Sequence, residues 1–212
     1  MSGASIPPPP MRPSLDREYL ARAALAVIDS DGLDRFSMRR LGAAIGVDPM
    51  AAYRHFEDRE ALFDGIAEAI FAETDTASLP WESPWADLAE KYCNRLREAL
   101  LRHPHAVAIF ATRPLRSPES LQAGVRMLAK IEDAGITSPT ALRILRCLRE
   151  YTVGHALSVS TLQLEGQRRS RKPASSDVEY NTLAQASDQT TPDDHFTIGL
   201  QAMLRGFTWQ FG

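Results

Sequence analysis

Between Ser37 and Phe56 the chain reads SMRRLGAAIGVDPMAAYRHF, and its cations, hydroxyls and small residues are spaced for contact with a polyanion. Ser37 is placed to cap a short helix that carries Met38, Leu41 and Ile45 on one face. Gly46 can take the left-handed conformation that ends such a helix, and Val47 can plug the gap behind the turn. Asp48 then caps a second helix with Pro49 at its first position, where proline forfeits no hydrogen bond. A second helix set steeply to the first has the dimensions to enter a major groove. Ala51 and Ala52 permit close approach, and Tyr53, Arg54 and His55 fall where phosphates or base edges would be met. The same pattern also describes an ordinary helical hairpin with Tyr53 and Phe56 as core aromatics. Phe56 is core in either case.

The elements that must position this segment are helical. Ser14 or Asp16 is the expected cap of a first helix bearing Leu20, Ala24, Val27 and Ile28, which Gly32 stops. Asp58 caps a fourth helix with Leu62, Ile66, Ala69 and Ile70, interrupted by one glycine, Gly65. Thr74 to Pro84 is turn-rich and marks the expected boundary between units 14–73 and 74–212. Beyond it, helices are expected at about 84–102, 104–112, 117–134, 138–165 and 193–210. No segment alternates as a strand would, so the fold class is all-α. Residues 1–13, with prolines from Pro7 to Pro10, are expected to form a disordered arm. Gly166 to Pro192, with the basic run Arg168 to Lys172, is expected to be a long, mobile loop with one helical turn or more around Val178–Ala186.

Composition narrows the class. The 212 residues are 44% hydrophobic, enough for a sizeable core, and the net charge of -3 says nothing for or against a basic face. Cys93 and Cys147 are too few for a disulfide framework, match no zinc spacing, and are read as buried structural thiols. No apolar run approaches the ~20 residues of a membrane span, and no signal segment is evident, so a soluble, cytoplasmic chain is expected. No Gly-rich phosphate loop, metal-ligand cluster or nucleophile–base pair is present to suggest an enzyme. His103 and His105 flank Pro104 without forming a metal site. Neither cofactor nor metal is expected.

The run AAYRHFEDREAL, Ala51 to Leu62, and the stretch ALAVIDSDGLDRFSMRRLGAAIGVD before it resemble the signature of the tetracycline-repressor (TetR) family. RHPHAVAIFATRPLRSPESL and HFTIGLQAMLRGF are similar to the C-terminal domain of that family's tetracycline-repressor branch. The resemblance implies a transcriptional regulator: an N-terminal three-helix DNA-binding module, then a helical domain that binds a small-molecule effector and forms a homodimer on a palindromic double-stranded operator. It places Ser37 and Arg39 at a phosphate or base, and Pro49, Met50 and Ala51 in the base-facing first turn. Tyr53, His55 and Arg59 fall at phosphate positions, and Arg54 at a base or the backbone. Pro49 and Met50 are apolar, which suits thymine methyl groups. Arg12, in the arm, is a further phosphate or minor-groove candidate. Lining candidates for the effector pocket are Tyr92, Leu96, Ile109, Phe110, Thr112, Val125, Tyr151, His155 and Ser158. Where the tetracycline-binding branch uses a histidine for the drug's magnesium this chain has Ile109, and where it uses a nearby glutamate it has Ser158. Both departures imply an effector other than a metal-chelated tetracycline, mostly apolar with one or two polar groups. For His155 the alternative is a core histidine satisfied by a backbone carbonyl. Two stripes are offered for the dimer: Phe196, Leu200, Met203, Leu204, Phe207 and Phe211, and Leu142, Leu145, Thr152, Ala156 and Val159. The alternatives to a regulator are a helical enzyme and an interaction protein that has lost DNA binding.

Overall fold

The computed structural model describes residues 15–166, Thr182 and residues 185–211. The N-terminal arm with Arg12, the Ser14 cap, the run Arg168 to Lys172 and most of the expected loop lie outside the described residues. Residues 185–187 are helical.

α1 (Arg17–Asp31) is capped by Asp16, which accepts from the Tyr19 N–H at 2.8 Å, and it stops at Gly32. A single 3-10 turn, Leu33–Arg35, leads to α2 (Met38–Ile45) and α3 (Pro49–Tyr53). α4 (Arg59–Ala72) is capped by Asp58, which accepts from the Ala61 N–H at 2.7 Å. After a second 3-10 turn, Thr76–Ser78, come α5 (Trp85–Arg102), α6 (Val107–Thr112), α7 (Pro118–Glu132), the long α8 (Ser138–Gly166) and α9 (Pro192–Phe211). α1 to α4 and α7, apart from the 3-10 turns between them, begin where a short polar side chain holds a free N–H group, whereas α5 and α6 begin at Pro84 and Ala106 without one. No strand occurs among the described residues.

α4 is the axis of the molecule. Leu62, Ile66 and Ile70 are wholly buried, with Phe63, Ala67 and Phe71 close to it. Burying an aliphatic side chain of that size contributes about 1.5–3 kcal/mol, so packing on both sides fixes where α4 lies. One apolar core joins α1, α2 and α4 to Leu96, Leu100, Val107 and Phe110 of α5 and α6 and to Val153 and Ala156 of α8. A second core gathers Trp85, Leu88 and Cys93 of α5, Met127 and Ile131 of α7, Ile144 and Leu148 of α8, and Phe196, Leu200 and Leu204 of α9. The expected boundary near residue 73 coincides with the end of α4, yet the first core runs across it.

The packing corrects two expectations. Phe196, Leu200, Leu204, Thr152 and Ala156, assigned above to a dimer face, are buried within the chain itself. α9 lies against α5 and α8, which cover Phe196, Leu200 and Leu204, while Met203 and Phe207 are half-buried and Phe211 is exposed. Cys147 is exposed, whereas Cys93 is buried. Burial pushes the Cys93 thiol up to about 12, the state of an inert core thiol.

Candidate functional site

The α2–turn–α3 unit is built by three local devices. Ser37 accepts from the Arg40 N–H at 3.2 Å, and Asp48 from the Met50 N–H at 2.7 Å. Gly46 sits at φ +70°, ψ +32°, the left-handed conformation that turns the chain between the two helices. Gly42, one turn earlier, is the closest point of the unit. A Cβ there would lie 2.8 Å from the Val47 carbonyl oxygen and 3.0 Å from the Pro49 nitrogen, both backbone atoms. Val47 is half-buried, and its N–H donates to the Gly42 carbonyl at 2.9 Å. Gly42 was not singled out from the sequence. Two glycines four apart around a turn were the available sign.

Inward, Ala52 and Phe56 are buried against the first core. Outward, Ser37, Arg39, Met50, Tyr53, Arg54 and Arg59 are exposed, and Pro49, Ala51 and His55 are half-buried. Met50 is 63% exposed. Six of the nine candidate contact residues are thus open to solvent and three are partly covered. Arg17 of α1, unanticipated, braces the unit. Its guanidinium lies 4.4 Å from the Phe56 ring centroid and donates to the His55 carbonyl at 2.6 Å. Arg59 stacks over Phe63 at 4.9 Å and Phe36 at 5.8 Å, which presents it beside the α4 N-terminus.

Polar links tie α4 to the C-terminal helices. Glu68 reaches the N-terminus of α7: its Oε1 accepts from the backbone N–H of Arg116 and, at 2.8 Å, of Ser117, and its Oε2 accepts from the Ser117 hydroxyl at 2.8 Å. Arg113, between α6 and α7, pairs with Glu60 and, at 3.4 Å, with Asp64. At the far end of α4, His103 bridges Asp29 of α1 at 2.7 Å and Glu73 at 2.9 Å, and Arg102 pairs with Glu73 at 2.8 Å. Burial disfavours the charged imidazole, but the hydrogen bonds to the two carboxylates outweigh it and hold the His103 pKa above the usual value. Among the described residues no group of three or more His, Cys, Asp or Glu side chains is arranged for a metal ion.

A cavity of about 720 Å³ opens between the end of α4, α5, α7 and α8. Of the sequence candidates, Tyr92 and Val125 line it. Leu96, Ile109 and Phe110 are buried in the first core instead. Thr112 is exposed, and its hydroxyl donates back to the Ala108 carbonyl at 3.0 Å. Ser158 is exposed on α8. Tyr151 and His155 hold down the start of α9. The Tyr151 hydroxyl donates to the carbonyls of His195 at 2.9 Å and Phe196 at 3.1 Å. His155 Nε2 donates to the Pro192 carbonyl at 2.9 Å while its Nδ1 accepts from Arg97 at 3.4 Å. Burial and the Arg97 charge hold His155 below its usual pKa. It is the carbonyl-satisfied histidine of the alternative reading.

The cavity wall contains residues the sequence reading did not nominate: Trp81, and Leu142, Leu145, Arg146 and Arg149 of α8. Those four α8 positions follow i, i+3, i+4, i+7, the spacing of one helix face, with two cations beside two leucines. Burial raises the Tyr92 phenol pKa strongly, and nearby Arg149 opposes the rise.

Residues 20–66 match the family described as "Bacterial regulatory proteins, tetR family", and residues 79–210 match "Tetracyclin repressor-like, C-terminal domain". The HTH-type transcriptional repressor DrrR1 of Streptomyces coeruleorubidus is 26% identical, covering 92% of this chain and 78% of the relative. The tetracycline repressor protein class A from transposon 1721 of Escherichia coli is 30% identical, covering 91% and 90%. Among solved structures, a variant TetR of Acinetobacter baumannii in complex with minocycline superposes with a TM-score of 0.76 at 25% identity, covering 92% of this chain and 93% of that one.

Proposed function

Because this chain belongs to the tetR family of bacterial regulatory proteins, we propose that it represses transcription from a palindromic operator and is released by a small molecule held in the cavity between α4, α5, α7 and α8. It is a regulator and not an enzyme, as its named relatives are. One observation carries the reading. The helix–turn–helix unit exposes cations, hydroxyls and the side chain of Met50 while Ala52 and Phe56 are buried beneath it. The cations and hydroxyls position a duplex, and Met50 with Pro49 reads thymine methyl groups. A bacterial DNA target puts the protein in the cytoplasm. Among the described residues no helix is long and apolar enough to cross a membrane.

The operator is two-fold because the protein acts as a homodimer. With the core face of α9 occupied internally, the dimer is built from what α8 and α9 leave uncovered. Ile198 is 69% exposed and Trp209 89%, with Leu157 and Leu162 on α8. The released state arises through α4. The cavity is walled by Phe71 at one end of that helix, while Arg59 at the other end faces DNA. Gly65 is no hinge within it, since a Cβ there would already touch Ala21 and Phe56 at 3.2 Å. α4 therefore moves as a rod, and a shift at the cavity changes the spacing of the two α3 helices. DNA fixes that spacing near ~34 Å, one helical turn. A coupling of about 1–3 kcal/mol weakens operator affinity ~5–150-fold.

Gel shift and footprinting with the DNA upstream of the protein's own gene test this. The expected result is two protected half-sites related by a dyad. One unpaired half-site bound at full affinity by a monomer would overturn the dimeric reading.

A further inference from the structure

Three arginines wall the cavity, and they are not equivalent. Arg113 is already neutralised by Glu60 and Asp64. Arg146 and Arg149 have no carboxylate within ion-pair distance among the described residues. Arg149 is half-buried, with its guanidinium carbon 5.4 Å from the Phe110 ring centroid. A cation stacked this way has its apolar face occupied and its N–H edge left for an acceptor. The one acid on the wall, Glu150, is exposed and pairs with neither arginine. The rest of the wall is largely apolar and aromatic, with Trp81 held flat beneath the Arg126 guanidinium at 3.8 Å and fixed by its own Nε1–H to the Thr76 carbonyl at 3.0 Å.

We propose that the effector is an aromatic or polycyclic carboxylic acid, its rings against Trp81, Leu142 and Leu145 and its carboxylate on Arg146 and Arg149. The inference rests on the cavity being the effector site. Arg149 is half-buried and Arg146 exposed, and with no carboxylate beside them among the described residues both are free to give paired N–H···O bonds to an incoming carboxylate. The cavity volume of about 720 Å³ accommodates two or three fused rings. The two arginines lie one helical turn apart on α8, so they meet a single anionic group from one side.

The full-length protein is titrated calorimetrically with anthracene-2-carboxylic acid and with its primary amide, which matches its shape without its charge. The acid is expected to bind about ten- to a hundred-fold more tightly than the amide. In Arg146→Gln/Arg149→Gln the preference of acid over amide should vanish, and a thermal unfolding midpoint like that of the wild type shows that the variant is folded. Leu142→Trp, at a position partly open to solvent, should fill the cavity and remove both ligands. Equal affinity for acid and amide in the wild type overturns the proposal, as does an acid preference that survives in the double variant or an acid that does not bind at all. If both compounds bind Leu142→Trp undiminished, the effector-cavity reading itself fails, and that outcome is distinct from the others.

Discussion

Glu68 ties α4 to the start of α7, and removing it should cost stability in a calculable way. Its carboxylate accepts two backbone N–H groups and one hydroxyl at the start of α7. Net hydrogen bonds to a charged group contribute about 1.5–3 kcal/mol each, and an acid at a helix N-terminus adds about 0.3–1. The full sum is not expected. Arg116 is exposed and Glu68 only half-buried, so water re-solvates much of what Glu68→Ala leaves open. A loss of about 3 kcal/mol is the reasoned figure, equivalent to roughly 6–12 °C in Tm for a chain of this size. Glu68→Gln keeps one acceptor oxygen but no charge, and should fall between. Urea denaturation of the three proteins, with operator affinity by fluorescence anisotropy in parallel, gives both readouts. Operator affinity without effector should change less than about threefold, because the helix–turn–helix unit is not touched. A Glu68→Ala protein within about 0.5 kcal/mol of wild type would mean that these bonds do no better than bonds to water, and that α4 and α7 are joined by packing alone.

Gly42→Ala forces a Cβ onto two backbone atoms that cannot yield. It should destabilise the turn by about 1–3 kcal/mol and abolish operator binding, while calorimetric binding at the cavity persists. Arg59→Ala should weaken binding to all sequences about equally and lower the slope of log affinity against log salt by roughly one, with Tyr53→Phe milder in the same assay; a changed base preference would refute the phosphate role. The His103 clasp should make stability fall with rising pH. Its raised pKa means that its contribution is complete below the unfolded value, about 6.5, and is lost as pH climbs through the folded value. Denaturation between about pH 6 and 9 should show a shallower loss in His103→Gln than in wild type. At the acidic end Glu73, held below its usual value, works with the opposite sign, and its share fades as pH falls through its lowered pKa.

What could be read from the sequence was what depends on residues two to four apart. Ser37, Asp48 and Asp58 cap the helices they were expected to cap, and Gly46 turns the chain, because a cap joins a side chain to an N–H within one turn. The cavity is different. Its wall joins Trp81, Arg113, Val125 and Arg149, residues from four separate stretches of chain, and nothing in the spacing of any one stretch says which others it will meet. An apolar stripe states only that a face must be covered. On α9 the stripe Phe196, Leu200 and Leu204 is covered by α5 and α8 of the same chain, so reading it as a subunit interface mistook the covering partner. Tyr151 and His155 point at the start of α9 for an equally distant reason. The carbonyls of Pro192, His195 and Phe196 at a helix beginning are fixed only once that helix is docked, about forty residues on. The face on α8 formed by Leu142, Leu145, Arg146 and Arg149 lies between the two cases. Its period was visible, but two arginines beside two leucines read equally well as a snorkelling surface. Among the described residues neither arginine has a carboxylate at ion-pair distance, and that is what favours reading the face as part of the proposed site.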